Sequence, residues 1–153
     1  MKTILVIVQH RKGRSPGQRF RIEHFLPYLE ERNYNIVFSN YLDEKSDKIF
    51  YSKANYFRKL LIAIKAFRHR LRDLKIAKKS DVVFVYREAH MLGTTYIERK
   101  LSKMPAVFVF DFDDSIWLND TSDGNKNLAW MKRTSKTADI CKYADLVTTG
   151  NEY

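Results

Sequence analysis

Residues 3–9 read TILVIVQ, a nearly continuous run of β-branched and apolar side chains that is typical of a strand buried on both faces. Similar runs recur at 35–39 (NIVFS), 81–86 (DVVFVY), 106–110 (AVFVF) and 145–149 (DLVTT). Segments with helical patterns separate them, at 19–32, 51–80, 95–103 and 127–143, and residues 40–47 are interpreted as a polar loop. The first of these helices is expected to face inward with Phe20, Ile22, Phe25, Leu26 and Leu29. This alternation predicts an α/β fold, a Rossmann-like parallel sheet flanked by helices on both faces through right-handed crossovers.

Length and composition restrict the class of protein. The chain has 153 residues, of which 44% are apolar and 14% aromatic, enough for a single domain with a core. The one cysteine, Cys141, excludes an internal disulfide and favours a reducing compartment. The sequence holds no Cys/His cluster for zinc and no apolar run as long as a signal sequence or a membrane span. We therefore expect a soluble, cytoplasmic protein without a bound metal.

The net charge of +10 is concentrated in one segment. Between residues 51 and 80 ten basic residues meet a single acidic one, Asp73. Apolar residues of this segment repeat at helical spacing, which predicts an amphipathic helix with its apolar stripe on the sheet and its basic residues facing outward. The apolar stripe comprises Phe57, Leu60, Leu61, Ile64, Phe67, Leu71 and Leu74. The basic residues expected to face outward include Arg58, Lys59, Lys65, Arg68 and Arg72.

The basic face of this helix has three interpretations. It is an ordinary solvated surface, a face attracted to an anionic membrane, or a site for nucleic-acid phosphates. No nucleic-acid motif accompanies it, and its aromatic residues lie mostly on the apolar stripe. The membrane is therefore favoured over nucleic acid, and we expect no nucleic-acid partner.

Candidate site residues follow the predicted strands, where ligands bind in parallel sheets. The segment DFDDSIW (111–117) has three carboxylates within four positions. Their repulsion is relieved by a cation, by hydrogen-bond donors or by protonation of one of them. One carboxylate is thus a candidate general base, or a pair of them a candidate Mg²⁺ site. The same residues can also open a loop as turn and cap residues.

The loop after the first predicted strand is a candidate anion site. Gly17 permits close approach of the backbone to a ligand, and Arg19 and Arg21 can make bidentate contacts to phosphate or carboxylate. The glycines are too sparse for a dinucleotide or P-loop fingerprint. An ordinary loop with surface arginines is the alternative.

Two further strand ends carry polar residues. After the third predicted strand, Arg87 and Glu88 can fix each other or a hydroxylated ligand, and His90 is interpreted as a surface or capping residue rather than a base. After the fifth, Asn151 can bind a polar ligand or cap a following helix.

Four segments, in this order, resemble the N-terminal domain of a GT-B glycosyltransferase of the group 1, GT4-like family: SPGQRFRIEHFLPYL (15–29), VYREAHMLG (85–93), VFDFDDSIW (109–117) and DLVTTGNEY (145–153). The resemblance implies the acceptor-binding half of an enzyme that moves a sugar, with retention, from a nucleotide-diphosphate sugar to a glycan or lipid-linked acceptor in bacterial-type polysaccharide synthesis. It implies no cofactor and no metal. Because the E-x7-E motif of the partner domain is absent, it also implies a missing nucleotide-sugar domain or a partner subunit, and an inactive isolated chain.

The resemblance also assigns site residues. It implies a catalytic or orienting role for Asp113 and Asp114, and docking of the basic helix at the inner face of the cytoplasmic membrane. The implied substrate-binding residues are Gly17, Gln18, Arg19, Arg21, Arg87, Glu88, Asp111, Trp117 and Asn151.

Two alternatives stay open. The DxDx(S/T) pattern is similar to motif I of haloacid-dehalogenase-type phosphatases, which implies Asp111 as the nucleophile, with Asp113 and Mg²⁺. A non-catalytic sugar- or lipid-binding subunit is the other.

Overall fold

A computed structural model describes the fold over residues 1–113, 116, 133 and 135–150. The strands are β1 (Thr3–His10), β2 (Asn35–Leu42), β3 (Val82–Tyr86), β4 (Val107–Phe112) and β5 (Leu146–Thr149). The helices are α1 (Pro16–Arg21), α2 (Leu26–Glu31), α3 (Glu44–Tyr51), α4 (Tyr56–Ala77), α5 (Tyr96–Leu101) and α6 (Lys136–Tyr143), with a 3-10 turn at Glu23–Phe25.

The five strands form one parallel sheet in the order β2-β1-β3-β4-β5. The predicted Rossmann-like α/β fold is therefore confirmed, in its flavodoxin-like strand order. The chain passes from β1 to β2 on one side and then returns to β3 on the other side of β1. The connections after β1 and β3 diverge at this switch point and open a crevice at the carboxyl edge of the sheet.

Alternate strand residues pack on two helical layers. On one face, the strands contact α4, α5 and α6 through a cluster that contains Leu5, Ile7, Ala77, Val83, Val85, Ile97, Leu101, Phe108, Phe110 and Ile140. On the other face, Ile4, Val6 and Val8 pack with Ile22 and Leu26, in and beside α1 and α2. Helices thus cover both faces, as the continuous apolar strands require.

The predicted helix at 19–32 is broken into α1, the 3-10 turn and α2. Pro27, which has no backbone N–H, lies in the first turn of α2, where that donor is not needed. Of the residues expected to face inward, Phe20 and Phe25 are instead exposed. The predicted loop at 40–47 is also wrong, because β2 extends into it and Asp43 begins α3 by accepting a hydrogen bond from the N–H of Ser46 at 2.8 Å.

The orientation of α4 differs most from the prediction. The apolar residues expected to face the sheet are instead largely exposed, with Phe57 at 73% and Leu60, Leu61 and Ile64 at 49% each. The buried face of α4 carries Lys59, Ile62, Ala63, Ala66, Arg70, Asp73 and Ala77. Small alanines bring the helix close to its neighbours, and the buried set also repeats at helical spacing. Periodicity alone therefore did not distinguish the two faces.

The prediction for Lys59, on the same helix, is also wrong. It was expected to face outward with Arg58, Lys65, Arg68 and Arg72, but it is 3% exposed and its Nζ donates to the carbonyl of Ser52 at 2.6 Å. The other four residues are exposed. Lys59 thus ties α4 to the preceding turn and is not part of the outer face.

Arg70 is fully buried on α4 and joins the carboxyl ends of neighbouring strands. Its guanidinium donates to the carbonyl oxygens of Val8 in β1, Ser39 in β2 (3.3 Å) and Ala89 in the loop after β3 (2.6 Å). It also donates to Asp73 at 2.7 Å, and the Ser39 hydroxyl donates to the same carboxylate at 2.8 Å. Arg70 therefore holds α4 against the sheet beside the switch point.

We expect Arg70→Ala to lower the free energy of unfolding by about 3–5 kcal/mol, because it leaves the buried Asp73 carboxylate without its cationic partner. Arg70→Lys should recover little of the lost stability, since an ammonium group cannot reach the same acceptors as a planar guanidinium. The measurement is urea unfolding followed by circular dichroism. Arg72→Ala, on the exposed side of the same helix, should change stability by no more than about 0.5 kcal/mol. Equal losses at positions 70 and 72 would contradict this role.

Candidate functional site

A group of polar side chains lies at the switch point, between the ends of β1 and β3. We call it the switch-point cluster; it comprises His10, Arg14, Asp47, Tyr51 and Arg87. The Nε of Arg14 donates to Asp47 at 2.6 Å, and the Tyr51 hydroxyl lies 3.3 Å from Nε2 of His10. The rings of Tyr51 and His10 stack with centroids 5.9 Å apart. The cluster thus combines the loop after β1, helix α3 and the residue that follows β3.

Asp47 is the buried anion of this cluster. It lies in the first turn of α3, and its Oδ2 accepts from Arg14 and, at 3.4 Å, from Arg11. Its Oδ1 lies 3.5 Å from Nδ1 of His10, and neither of these buried atoms has a hydrogen-bond partner among the described residues. If Nδ1 of His10 carries a proton, it can donate a hydrogen bond to Oδ1 of Asp47. Charges near the two side chains therefore affect the pKa of His10.

The surroundings of His10 lower its pKa and so favour the neutral imidazole. Burial lowers its pKa, Asp47 opposes that effect, and the positive charges of Arg14, Arg87 and Arg11 lower the pKa further. The arginines therefore lower the pKa of His10, and an anion bound beside them would raise it again.

Arg87 has a strained backbone. Its φ of 64° lies in the left-handed region, which a long side chain seldom adopts. The backbone N–H of Arg87 donates to the carbonyl of Asp111 at 2.7 Å, and its guanidinium donates to Asp113 at 3.0 and 3.1 Å. The turn thus places one cation on Asp113, at the end of the strand that pairs with β1.

The space beside the backbone of Gly17, which was expected to admit a ligand, is occupied by the carboxylate of Asp113. A Cβ at Gly17 would collide with Oδ2 of Asp113 and with the hydroxyl of Tyr86. That hydroxyl donates to Asp113 at 2.8 Å. Burial tends to raise the pKa of Asp113, but the Tyr86 hydrogen bond and the charge of Arg87 outweigh it and lower the pKa. Asp113 is therefore an ionised anchor of the loop after β4.

Asp111 and Arg21 form an internal ion pair. Asp111 is 2% exposed, and both of its carboxylate oxygens accept hydrogen bonds from Arg21. The Thr148 hydroxyl donates to the same carboxylate. This pair joins α1, β4 and β5. A buried, fully engaged carboxylate does not suit the nucleophile of the phosphatase alternative, which must reach a substrate.

Three more predicted binding residues have contacts within the protein. Gln18 is fully buried, donates to the carbonyl of His10 at 3.0 Å and to Glu23 at 2.6 Å, and so shapes the loop after β1. Glu88 pairs with Lys136 of α6 at 3.1 Å. The exposed Arg19 places its guanidinium 5.6 Å from the ring centre of Phe20. Asp114, Trp117 and Asn151 lie outside the described residues.

His90 is buried, which corrects its interpretation as a surface or capping residue. One ring nitrogen lies 3.0 Å from the carbonyl of Ala63 in α4, and the ring packs edge-on against Phe67. His90 therefore belongs to the contact between α4 and the loop after β3.

Ser39, His69 and Asp73 have the residue types of a catalytic triad but not its geometry. Ser39 Oγ lies 2.9 Å from Nε2 of His69, and Asp73 approaches the same nitrogen at 3.8 Å. A triad needs the carboxylate on the opposite ring nitrogen. The three residues are therefore part of the network around Arg70.

Neither a metal-binding group nor a membrane-spanning helix occurs in the described part of the chain. No three or more His, Cys, Asp and Glu residues there are grouped so that they could hold a metal ion. None of the helices there is long and apolar enough to cross a membrane.

Comparisons with known proteins identify no family. No family model and no curated protein matches the chain. Among solved structures, the chain is similar to FerB, a flavoenzyme NAD(P)H:(acceptor) oxidoreductase from Paracoccus denitrificans, with 11% sequence identity and a TM-score of 0.40. The alignment covers 99% of this chain and 76% of that chain. A likeness this remote gives no information on the activity of this protein.

The expected membership of the GT4-like glycosyltransferases is wrong. No family model carries it. The expectations of glycosyl transfer and of no cofactor, which that resemblance implied, are wrong with it, and neither the phosphatase nor the sugar- or lipid-binding subunit is supported. The residues that carried the resemblance make contacts within this fold that do not need a sugar substrate. Arg21 pairs with Asp111, and Asp113 pairs with Arg87 and packs against Gly17.

We expect Gly17→Ala to lower the free energy of unfolding by about 1–3 kcal/mol, because its Cβ collides with Asp113 and Tyr86. Asp113→Ala should reduce that cost in a double-mutant cycle measured by urea unfolding. Gly13→Ala is the control: no atom of the described part of the chain lies within 4 Å of a Cβ there, so it should show only a backbone cost of about 1 kcal/mol and no coupling to position 113. Absence of coupling at Gly17 would contradict the close approach.

The lowered pKa of Asp113 makes stability depend on pH in a defined direction. Its contribution is present above the ordinary Asp pKa of about 4 and is lost as the pH falls through the lower pKa of the folded state. We therefore expect Asp113→Asn to flatten the loss of stability on acidification, measured as urea midpoints at neutral and acidic pH. A slope unchanged from the wild type would count against an ionised Asp113.

Proposed function

We propose that this protein binds a phosphate-bearing small molecule of the nucleotide class at the switch-point cluster. The observation that carries the proposal is a pair of arginines, Arg11 and Arg14, on the Asp47 carboxylate that lies 3.5 Å from His10. A third arginine, Arg87, follows the adjacent strand β3, at the point of the sheet where the strand order reverses. Open α/β sheets bind ligands at this point, beyond the carboxyl ends of the strands.

The charges in the switch-point cluster and on its neighbours Arg11 and Asp113 favour an anion. Arg11, Arg14 and Arg87 meet the carboxylates of Asp47 and Asp113, so positive charge exceeds negative charge before His10 is counted. The three arginine side chains are 39%, 43% and 38% exposed, which leaves each of them within reach of a ligand from solvent. Guanidinium groups bind phosphate oxygens through paired, charge-assisted hydrogen bonds.

His10 would report the bound anion. Burial and three arginines lower its pKa in the unliganded protein, and a phosphate beside those arginines would raise it by neutralising their charge. By linkage, binding would take up a proton and become tighter as the pH falls through the pKa of His10. The phosphates of a nucleoside diphosphate would satisfy this linkage. We propose the cytoplasm, where the Cys141 thiol stays reduced, as the compartment.

The test is a titration of the 153-residue chain with inorganic pyrophosphate, uridine diphosphate, flavin mononucleotide and, as the uncharged control, uridine. We expect at least one phosphate-bearing probe to bind and to raise the pKa of His10, followed by its imidazole NMR signals, whereas uridine should do neither. Arg14→Gln should weaken binding about tenfold because a charge-assisted hydrogen bond is lost.

Two further variants sharpen the test. Asp47→Asn should strengthen anion binding, because it removes the carboxylate that competes for Arg11 and Arg14. Arg19→Gln, an equal change of charge outside the cluster, should leave the affinity unchanged. The proposal fails if no phosphate-bearing probe shifts His10, or if Arg14→Gln and Arg19→Gln have the same effect.

A further inference from the structure

We propose that the outer face of α4 docks on the surface of an anionic lipid bilayer. The outer face of α4 consists of the apolar residues Phe57, Leu60, Leu61 and Ile64 followed by the basic residues Arg68, Arg72 and Lys75. This inference is independent of the ligand proposed for the switch-point cluster.

The first half of the outer face is an unusual apolar surface. Phe57, Leu61 and Ile64 lie three or four residues apart, so their side chains are neighbours on one side of the helix. Together with Leu60 they expose large apolar side chains over about two helical turns. Contiguous exposed apolar patches mark interaction sites in proteins, whereas single exposed residues do not.

The second half of the outer face is basic without an acidic neighbour on the helix. Arg68 follows Ile64 by one turn, and Arg72 and Lys75 continue the same side. The single acidic residue of α4, Asp73, is buried and paired with Arg70. Positive charge on this face is therefore not neutralised by its own helix.

The combination of an apolar and a basic half on one face favours an anionic bilayer over a second copy of this chain as the partner. A second copy of this chain would bring like charges together on the same face. An anionic bilayer offers negative headgroups to Arg68, Arg72 and Lys75 and an apolar layer beneath them to Phe57, Leu61 and Ile64. The 22-residue helix can lie along such a surface.

The fold holds the apolar half away from the sheet. Arg70 contacts the carboxyl ends of β1 and β2, and α4 runs back from there toward the start of β3. Residues before Arg70 therefore extend past the carboxyl edge. Their inner side is fixed, because Ile62, Ala63 and Ala66 pack with Leu42 and Met91. The apolar side chains are thus presented on a rigid support.

Sedimentation with vesicles tests the proposal. The 153-residue chain should sediment with phosphatidylcholine vesicles that contain phosphatidylserine and remain in solution with phosphatidylcholine alone. Added salt should reduce the bound fraction, since it screens the headgroup charge. A chain carrying Phe57→Trp should show a blue shift of its fluorescence relative to wild type on anionic vesicles, as the indole enters the apolar layer.

Matched variants separate the two halves of the face. Arg68→Gln with Arg72→Gln should weaken binding roughly fivefold for each charge removed. Arg99→Gln with Lys103→Gln changes the net charge equally on a different helix and the turn after it, and should have little effect. Phe57→Ser with Leu61→Ser should abolish binding, whereas Phe20→Ser with Phe25→Ser, both exposed elsewhere, should preserve it.

Three results would overturn the proposal. The first is no sedimentation with anionic vesicles, and the second is equal loss in the matched control variants. The third is a dimer that becomes a monomer on Phe57→Ser with Leu61→Ser while vesicles bind neither form, because the face would then be an interface between copies of this chain.

Discussion

The buried guanidinium of Arg70 is the constraint on which the arrangement of this molecule depends. A charge removed from water is stable only where its donors find acceptors, and here those acceptors come from β1, β2, the loop after β3 and Asp73. One side chain thus fixes the spacing of two neighbouring strand ends and a loop, and with it the crevice between β1 and β3. It also fixes the rotation of α4 about its axis, because Arg70 must point inward. The exposed apolar half of that helix follows from the same requirement.

The strands could be predicted from the sequence because their signal is local. A run such as residues 3–9 is apolar and β-branched at almost every position, and it forms β1 within the parallel sheet that the alternation of elements predicts. The faces of α4 could not be predicted in this way. Its buried side is defined by contacts of Arg70 and Asp73 with Ser39, more than thirty residues earlier in the chain. A hydrophobicity pattern contains no information about such a partner, so the larger apolar residues were assigned to the core.

The candidate site shows a similar division. The carboxyl edge of the sheet was predicted correctly as the place where Arg21, Arg87, Asp111 and Asp113 gather. Which of them contact a ligand was not predictable, because an arginine that suits a phosphate suits an aspartate equally well. Asp47 was missed altogether, since it lies in a stretch that was interpreted as a polar loop and that the structure assigns to α3. His10 was missed too, although it is the last residue of β1, and a titratable residue at the carboxyl end of a strand indicates a binding site in this class of fold.

The exposed apolar turns of α4 also bear on how concentrated a solution of this protein can be. At low ionic strength the surplus of basic residues keeps copies apart, because their repulsion extends over about 10 Å in 0.1 M salt. In about 1 M salt that range falls to roughly 3 Å, and the apolar side chains of two molecules can then meet. We therefore expect salt to promote association of this protein through α4, and the basic residues beside the apolar turns to oppose it.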